Sequence, residues 1–566
     1  MHEVFVMAIL GSRSPMNPSR REALLLSASA GLGAALMGRG ARASAAQLAS
    51  QQPGHCSTPA SAVAMTQYGK VRGYLDGGVL TFKGIPYGQD TGGENRWLPA
   101  KPPIPWTGER PTLVYGANCP QSLHDFTAVE QSFLQQWVDG YLSEDMLKLN
   151  IWTPSLTGKR AVMFYIHGGG YSFGSSYELA AHEGAQMARH HDVVQVSVNH
   201  RLNALGFLDV AQVGGEAYAE SGNVGMTDLV AALRWVRDNI ASFGGDPDNV
   251  MIYGQSGGGS KVTTLMGMPS ATGLFHRAAV QSGGGGNPPA SEQARALTRQ
   301  VMVELGLQAN DIESLKRMDW AVLNRAGNTA IAKLNPPAKG FGLGAPPDPN
   351  PRVGWGPILD GRAVTVRAYF EQAPAVSKQI PLLIGSVSEE GNRMLSRPSR
   401  EEWQKTLARS LGDSKASALI AAMVKAHPNK SIRTLSYAVG GIGQRNNVQR
   451  MSRMKYEQLG APVYQYYFTW QSPMLEDAGA WHTAELAFCF DNTERCKQGT
   501  GNTPQAQELA RKMATAWANF ARTGDPSQPG LKWSPTNPSR CQTMVFDDRC
   551  QMVDDPEGEI RKILLS

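Results

Sequence analysis

The chain has 566 residues, of which 42% are hydrophobic and 18% are charged. These proportions fit a large globular core and exclude a coiled coil or a disordered chain. The net charge of +6 includes +3 from residues 1–45, which contain five arginines and two glutamates. The small remaining charge, and the lack of a basic stripe with interleaved aromatic residues, argue against nucleic acid as a partner.

Residues 1–45 are typical of a bacterial twin-arginine signal peptide. The pair Arg20-Arg21 precedes the uncharged stretch Ala23–Leu36, and Ala43-Ser44-Ala45 offers small residues for cleavage. The uncharged stretch is shorter than the ~20 apolar residues of a membrane-spanning helix, and so is every later apolar run. We therefore expect engagement of the export machinery and a periplasmic or secreted mature protein without a stable membrane span. A membrane anchor is the alternative interpretation, and Met16 is an alternative start.

Residues 46–64 are predicted to be a flexible arm, and residues 65–566 a single domain. Short runs rich in valine and isoleucine indicate buried parallel strands. Met226–Phe243 carries apolar residues at helical spacing and stops at two glycines. The alternation predicts an α/β fold with a mostly parallel twisted sheet and helices on both faces. The predicted strands are Ala161–His167, Val193–Val198, Asn249–Tyr253, Arg277–Gln281, Pro381–Ile384 and Val463–Phe468.

Two stretches, residues 282–289 and 335–357, are rich in glycine and proline. In a sheet of this kind, such insertions lie above the strand ends, where they either line a substrate site or form plain surface loops. Four aromatic residues are candidates for pocket walls, with simple core packing as the alternative. They are Phe173, Phe341, Trp355 and Trp481.

The segment Gly254-Gln255-Ser256-Gly257-Gly258 directly follows one of the predicted strands. It fits the Gly-x-Ser-x-Gly pattern of a sharp strand-to-helix turn, in which flanking glycines avoid steric collisions. Such a turn exposes the serine hydroxyl for attack on an acyl carbon. The pattern therefore predicts Ser256 as a nucleophile.

A glycine run, Gly168-Gly169-Gly170, follows His167 at the end of another predicted strand. Backbone N–H groups in such a run point into a cavity without side-chain obstruction, as an oxyanion hole requires. We assign Gly169, Gly170 and Gly257 as the oxyanion donors. The alternative interpretation of the glycine run is a flexible turn.

These features and several ordered motifs resemble the type-B carboxylesterases, the carboxylesterase/cholinesterase branch of the α/β-hydrolases, over about residues 65–550. The resemblance implies an α/β-hydrolase fold with cap-like insertions, a small-molecule ester and water as substrates, and no metal or organic cofactor. The further motifs are Phe82-Lys83-Gly84-Ile85-Pro86-Tyr87, Ser143–Asn150, Asn199-His200-Arg201-Leu202, Gly222–Asp228 and Phe243–Pro247.

The same resemblance implies the two remaining catalytic residues. The segment that begins with Ile380-Pro381 matches the family's acid at Glu390, with Glu389 as the neighbour to exclude. The Gly-x-x-His motif ends at His482, which would act as the base. Ser282 matches a position that supports the acid.

Two departures from the family pattern affect the expected function and bonding. Gln255 replaces the usual glutamate before the nucleophile, so a preference for cationic choline esters is not expected. Met146 replaces a cysteine whose family partner matches Cys119. Cys119 is therefore either free or paired with Cys56.

Four further cysteines lie close together in sequence as the pairs Cys489/Cys496 and Cys541/Cys550. Because six cysteines fit an oxidising compartment, we expect that both pairs can close short disulfide loops. No Cys-x-x-Cys motif is present, which argues against a zinc site.

The favoured function is hydrolysis of carboxylic esters through an acyl-enzyme. One alternative is an inactive binding or adhesion protein on an esterase scaffold. Another is an acyltransferase or a hydrolase of a specialised ester, such as a lactone, carbamate or polyester, because these reactions share the acyl-enzyme step.

Overall fold

A computed structural model describes residues 55–56, 62–122, 131–335, 351–391 and 398–566 of the chain. The predicted signal peptide and Phe341 lie outside these residues. Residues 53–566 belong to one compact unit. Its first strand pairs His55–Cys56 with Leu75–Asp76, inside the segment predicted as an arm.

A large sheet forms the centre of the described residues. Its strands follow the order β1-β4-β5-β7-β9-β8-β10-β11-β12-β13-β14-β15, and β2, β3 and β6 form a smaller sheet. The run from β9 to β14 is parallel, whereas the pairs at both edges are antiparallel. The strands are β1 His55–Cys56, β2 Val63–Thr66, β3 Gly69–Arg72, β4 Tyr74–Asp76, β5 Val79–Pro86, β6 Glu109–Pro111, β7 Lys148–Thr153, β8 Arg160–Ile166, β9 Val194–Val198, β10 Gly245–Gln255, β11 Arg277–Gln281, β12 Leu382–Val387, β13 Val463–Phe468, β14 Gln542–Phe546 and β15 Gln551–Asp554.

Helices cover both faces of this sheet. The α-helices are α1 Gln131–Leu134, α2 Ala185–His191, α3 Asn203–Phe207, α4 Ala211–Gly214, α5 Val224–Asn239, α6 Gly257–Gly267, α7 Ser291–Glu304, α8 Ile312–Arg317, α9 Trp320–Leu334, α10 Arg400–Leu411, α11 Asp413–Ala426, α12 Ile432–Glu457, α13 Leu486–Cys489, α14 Lys497–Thr500, α15 Pro504–Thr523 and α16 Gly558–Leu565. The 3₁₀ helices are Gly93–Asn95, Ala180–His182, Glu216–Tyr218, Ser221–Asn223, Ile240–Phe243, Pro269–Ala271 and Ala375–Ser377.

The two faces of the sheet bury separate apolar cores. Along β8, Val162 and Phe164 pack into one core, while Met163 and Tyr165 pack into the other. This alternation follows from the two-residue period of a strand, and it explains why the central strands are apolar throughout. Helix α5 covers the first core and α15 covers the second.

The six predicted strands and the predicted helix are confirmed: β11 and β13 have the predicted ends, whereas the helix and the other four strands have shifted ends. The helix spans Val224–Asn239 and continues as a 3₁₀ turn to Phe243, where Gly244 adopts a left-handed conformation with φ of 74°. Strand β10 is longer than predicted because it begins at Gly245 and reaches Gln255, the residue before Ser256.

The two predicted disulfides are not formed: Cys489, Cys496, Cys541 and Cys550 are free thiols in the structure. Cys489 accepts a hydrogen bond from the amide of Gln281 at 3.4 Å. Cys541 and Cys550 donate to backbone carbonyls of their own loops at 3.5 Å and 3.7 Å. Closeness in sequence does not bring the Cβ atoms to the roughly 3.8 Å that a disulfide needs.

Cys119 is also a free, buried thiol. Its sulfur accepts a hydrogen bond from the Leu202 N–H at 3.2 Å, and Met146 lies in the same apolar core. Burial raises the pKa of the Cys119 thiol, so this side chain behaves as a small apolar group.

Across the described ranges, no helix combines the length and apolar character needed to cross a membrane. Within the same ranges, no group of three or more histidine, cysteine, aspartate or glutamate residues is arranged to hold a metal ion.

Candidate active site

Ser256 occupies the sharp turn between the end of β10 and the start of α6. Its φ and ψ of 58° and −124° lie outside the regions that non-glycine residues normally adopt. The flanking glycines are sterically required: a Cβ at Gly254 would lie 2.5 Å from the carbonyl carbon of Gly258. A Cβ at Gly258 would lie 2.1 Å from the Ile166 oxygen. The turn therefore holds the half-buried Ser256 at the carboxyl end of the parallel strands.

Glu390 and His482 form a hydrogen-bonded pair in the same region. The carboxylate oxygen Oε2 of Glu390 contacts Nδ1 of His482, and both side chains are largely buried. The other carboxylate oxygen accepts the Val387 N–H at 3.3 Å. A hydrogen bond from Nδ1 to a carboxylate requires the proton on Nδ1, which leaves Nε2 of the neutral ring as a proton acceptor.

Glu389 points away from this pair and has a structural set of partners. It is fully buried, with Lys430 Nζ at 2.6 Å and the Ala480 N–H at 2.7 Å from its oxygens. The structure thus brings Glu390, rather than Glu389, to His482. The two adjacent carboxylates lie just past the end of β12 at Val387, and their different partners separate them.

The glycine run after β8 lies directly against the Ser256 turn. A Cβ at Gly257 would come within 2.4 Å of the Gly170 backbone. Gly169 and Gly170 have φ values of 76° and 62°, which favour glycine. In the described part of the chain, neither of their N–H groups donates to another residue. The structure therefore collects Gly169, Gly170 and Gly257 beside the Ser256 side chain.

A cavity of about 1280 Å³ opens beside Ser256, and Gly169, Gly170 and Gly257 are not among its lining residues. Ser256, Glu390 and His482 all line it, and much of its remaining wall comes from α12. Of the predicted pocket walls, Phe173, Trp355 and Trp481 are not among its lining residues, and Trp355 lines a separate cavity of about 160 Å³. The two indoles hydrogen-bond elsewhere, with Nε1–oxygen distances of 2.9 Å for Trp355 to Asn328 and 3.2 Å for Trp481 to Gln135.

Comparison with known proteins identifies the family of the chain. The model of the Carboxylesterase family matches residues 60–559. This chain belongs to the carboxylesterase family.

Solved and characterised carboxylesterases align with almost the whole chain. A solved esterase from anaerobic Clostridium hathewayi, described as able to hydrolyze aliphatic aromatic polyesters, is 34% identical with a TM-score of 0.74, over 90% of this chain and 99% of that one. Para-nitrobenzyl esterase from Bacillus subtilis is 30% identical over 89% of this chain and 98% of its own length. Phenmedipham hydrolase from Pseudarthrobacter oxydans is 33% identical over 84% of this chain and 92% of its own. The fold is the α/β-hydrolase fold, and the chain is a carboxylic ester hydrolase.

In this carboxylesterase, Gln255 lies against the imidazole of His482. The amide nitrogen of Gln255 is 3.2 Å from Nε2 of the ring and 3.4 Å from Nδ1. The amide therefore lies over the face of the ring and is not aligned with the lone pair of either ring nitrogen. Gln255 is buried, with 1% of its surface exposed. A neutral amide thus occupies the position where relatives with a glutamate would carry a charge.

Ser282 lines the same cavity but does not contact the acid as expected. Within the described residues its hydroxyl is buried without a hydrogen-bond partner, so it does not support Glu390 directly. Its N–H instead donates to the Gly385 carbonyl at 2.8 Å, which ties the end of β11 to β12.

Two ion pairs of the scaffold have a forked geometry. Arg201 donates to both carboxylate oxygens of Asp228 at 2.7 Å and 2.9 Å, and both residues are fully buried. Arg96 makes a similar forked contact with Glu144, including a hydrogen bond of 2.9 Å from Nε. Such bidentate pairs fix geometry, and these two join separate segments of the scaffold.

One buried lysine beside the site belongs to none of the motifs recognised in the sequence. Lys261 is fully buried in α6, five residues after Ser256, and faces the glycine run. Helical spacing gives a signal of its burial. Lys261 follows Gly258 by three residues on a helix with apolar neighbours, so it lies on the same buried face as Gly258.

Proposed function

We propose that this carboxylesterase hydrolyses small carboxylic esters through an acyl-enzyme formed on Ser256. The contact between His482 and Glu390 in the cavity that also contains Ser256 is the main support. Ser256 would attack the ester carbonyl while Nε2 of His482 takes the serine proton. Glu390 would hold the imidazole in the required tautomer and stabilise the imidazolium that forms.

The developing oxyanion would be stabilised by the N–H groups of Gly169, Gly170 and Gly257. The protonated His482 would then deliver its proton to the leaving alcohol, which breaks the ester bond. Water would repeat the sequence on the acyl-enzyme and release the acid. This chemistry needs no group beyond these side chains and amides.

We also propose that residues 1–45 direct export by the twin-arginine route and are removed. Arg20 and Arg21, the uncharged stretch after them and Ala43-Ser44-Ala45 support this proposal. Expression of the full chain in a bacterium, followed by N-terminal sequencing of the periplasmic fraction, tests it. A mature chain that begins near residue 46 is expected, and retention of residues 1–45 in the cytoplasm would contradict it.

The proposed mechanism is tested by hydrolysis of p-nitrophenyl acetate. Ser256→Ala should lower kcat by about 10⁶, as loss of the nucleophile does in triad proteases, with an unchanged melting temperature. A variant that keeps a tenth of the wild-type kcat would contradict the proposal.

The two neighbouring glutamates provide a matched comparison in the same assay. Glu390→Gln should lower kcat by about 10⁴, because the amide cannot impose the required tautomer. Glu389→Gln should mainly lower the melting temperature, because it leaves Lys430 without its buried carboxylate. The assignment of the acid fails if Glu389→Gln loses more activity per folded molecule than Glu390→Gln.

A further inference from the structure

Lys261 forms hydrogen bonds to the backbone just ahead of the proposed oxyanion donors. Its ammonium donates to the His167 carbonyl at 3.0 Å and to the Gly168 carbonyl at 3.3 Å. Lys261 is fully buried, and it makes no ion pair within the described ranges. A buried lysine whose partners are two consecutive carbonyls fixes the path of that backbone.

The bond to Gly168 determines the direction of the Gly169 N–H. The Gly168 carbonyl and the Gly169 N–H belong to one planar trans peptide, in which the two bonds point in opposite directions. With the carbonyl held toward Lys261, the Gly169 N–H is directed away from it. Nδ1 of His167 lies 3.1 Å from the same carbonyl and reinforces this orientation.

The position of Lys261 also couples this peptide to the nucleophile. Lys261 and Ser256 are joined by the first turns of α6, whose close approach to β8 depends on Gly258. Burial lowers the pKa of Lys261 to about 7, against the opposing field of Glu178. The fold thus tolerates a costly buried amine between the Ser256 helix and the glycine run.

We propose that Lys261 is a positioning residue that orients the Gly168–Gly169 peptide, so that the Gly169 N–H is preorganised toward the oxyanion. The inference rests on the proposed ester hydrolysis. Because a preorganised donor acts on charge that appears only in the transition state, Lys261 contributes to kcat rather than to substrate binding. In its protonated form, Lys261 also places a positive charge on the carbonyl side of the peptide, which strengthens the N–H as a donor.

The test is the variant Lys261→Met, which keeps an unbranched side chain only one heavy atom shorter and removes its donors. With p-nitrophenyl acetate, kcat should fall about 10- to 100-fold while KM changes less than twofold. An aryl trifluoromethyl ketone adds the Ser256 oxygen to its carbonyl and places an oxyanion in the same site. Its inhibition constant should rise by the same factor as kcat/KM falls.

Lys455 offers a matched control, because it is also fully buried and donates to two consecutive carbonyls, of Ser377 and Lys378, at 2.7 Å and 2.8 Å. Lys455→Met should lower the melting temperature while kcat stays within twofold of wild type. The inference is overturned if Lys261→Met keeps kcat/KM within threefold of wild type, or if both variants lose the same fraction of kcat.

If Lys261→Met does not fold, Lys261→Gln provides the same comparison, because its amide keeps a donor without charge. We expect its kcat to lie between that of wild type and that of an enzyme that has lost one oxyanion donor. A wild-type kcat would overturn the inference. Failure of the proposed function looks different: wild type itself would not hydrolyse the ester, or Ser256→Ala would remain active.

Discussion

Gln255 controls the charge next to the proposed base. Its amide lies 3.2 Å from Nε2 of His482 in a buried position, so this wall of the site is neutral. A carboxylate there would add one negative charge near the position of a bound substrate. At roughly 10 Å and an intermediate effective dielectric, its attraction for a cation is about 1 kcal/mol.

The variant Gln255→Glu should therefore shift selectivity toward cationic esters. We expect the ratio of kcat/KM for butyrylcholine to that for its neutral isostere, 3,3-dimethylbutyl butyrate, to rise about fivefold. The neutral isostere is the internal control, since it shares the size and the acyl group of the choline ester. A ratio equal to that of wild type would show that residue 255 does not influence the charge preference.

At the scale of elements, close approach of α6 to β8 decides where Ser256 sits. Gly258 permits this approach, because a Cβ there would lie 2.1 Å from the Ile166 carbonyl and 2.9 Å from that of His167. Both neighbours are backbone atoms, so neither can rotate away. Gly443 in α12 differs, since nothing lies within 4 Å of a Cβ at that position.

Gly258→Ala should consequently lower the melting temperature and kcat together, with an overpacking cost of about 1–3 kcal/mol. Gly443→Ala should leave the melting temperature unchanged or raise it slightly, because alanine stabilises a helix interior by about 0.5–1 kcal/mol relative to glycine. Thermal unfolding of both variants checks this difference. Equal melting temperatures would mean that α6 can move away from β8 without cost.

The strands of the site could be predicted from local sequence patterns, whereas two of its proposed catalytic residues could not. The strands that hold Ser256 and the glycine run were predictable, because buried strands are short, uniformly apolar and followed by glycine. Glu390 and His482 came from family motifs, since no local pattern indicates which of 11 histidines meets a serine far away in the sequence. The predictions that were wrong or missing depend on tertiary packing, which the sequence pattern alone does not determine. They concern the free thiols of Cys541 and Cys550, the missing hydrogen bond from Ser282 and the burial of Lys261.

At the scale of the whole molecule, buried ionisable groups make stability depend on pH in opposing ways. Burial raises the pKa of Glu178 and Glu485 to about 8, from an ordinary value of 4.5. The stability that such neutral carboxyls contribute is complete below pH 4.5 and is lost as the pH rises through about 8. Burial lowers the pKa of Lys261 to about 7 and that of Lys455 to about 8. These two lysines therefore make the folded protein more stable as the pH rises from about 7 to about 10.5.

Glu485 allows a direct measurement of the first effect, because it is fully buried close to the charge of Glu390. Glu485→Gln keeps the shape but cannot ionise, so the variant avoids the cost of charging a buried carboxylate. The melting temperature of the variant minus that of wild type should become more positive between pH 5 and pH 8. In free energy the change is at most about 1.4 kcal/mol per pH unit for one proton.

Glu508→Gln on the exposed face of α15 is the matched control for this measurement. The pKa of Glu508 is lowered overall, mainly by its hydrogen bond with Lys512. Its difference from wild type should therefore change little from pH 5 to pH 8, because the carboxylate is mostly ionised in both folded and unfolded chains in that range. If the melting-temperature difference for Glu485→Gln is equally independent of pH, Glu485 is already charged in the folded protein. The apolar surroundings of the Glu390–His482 pair would then not impose the expected cost on a second carboxylate.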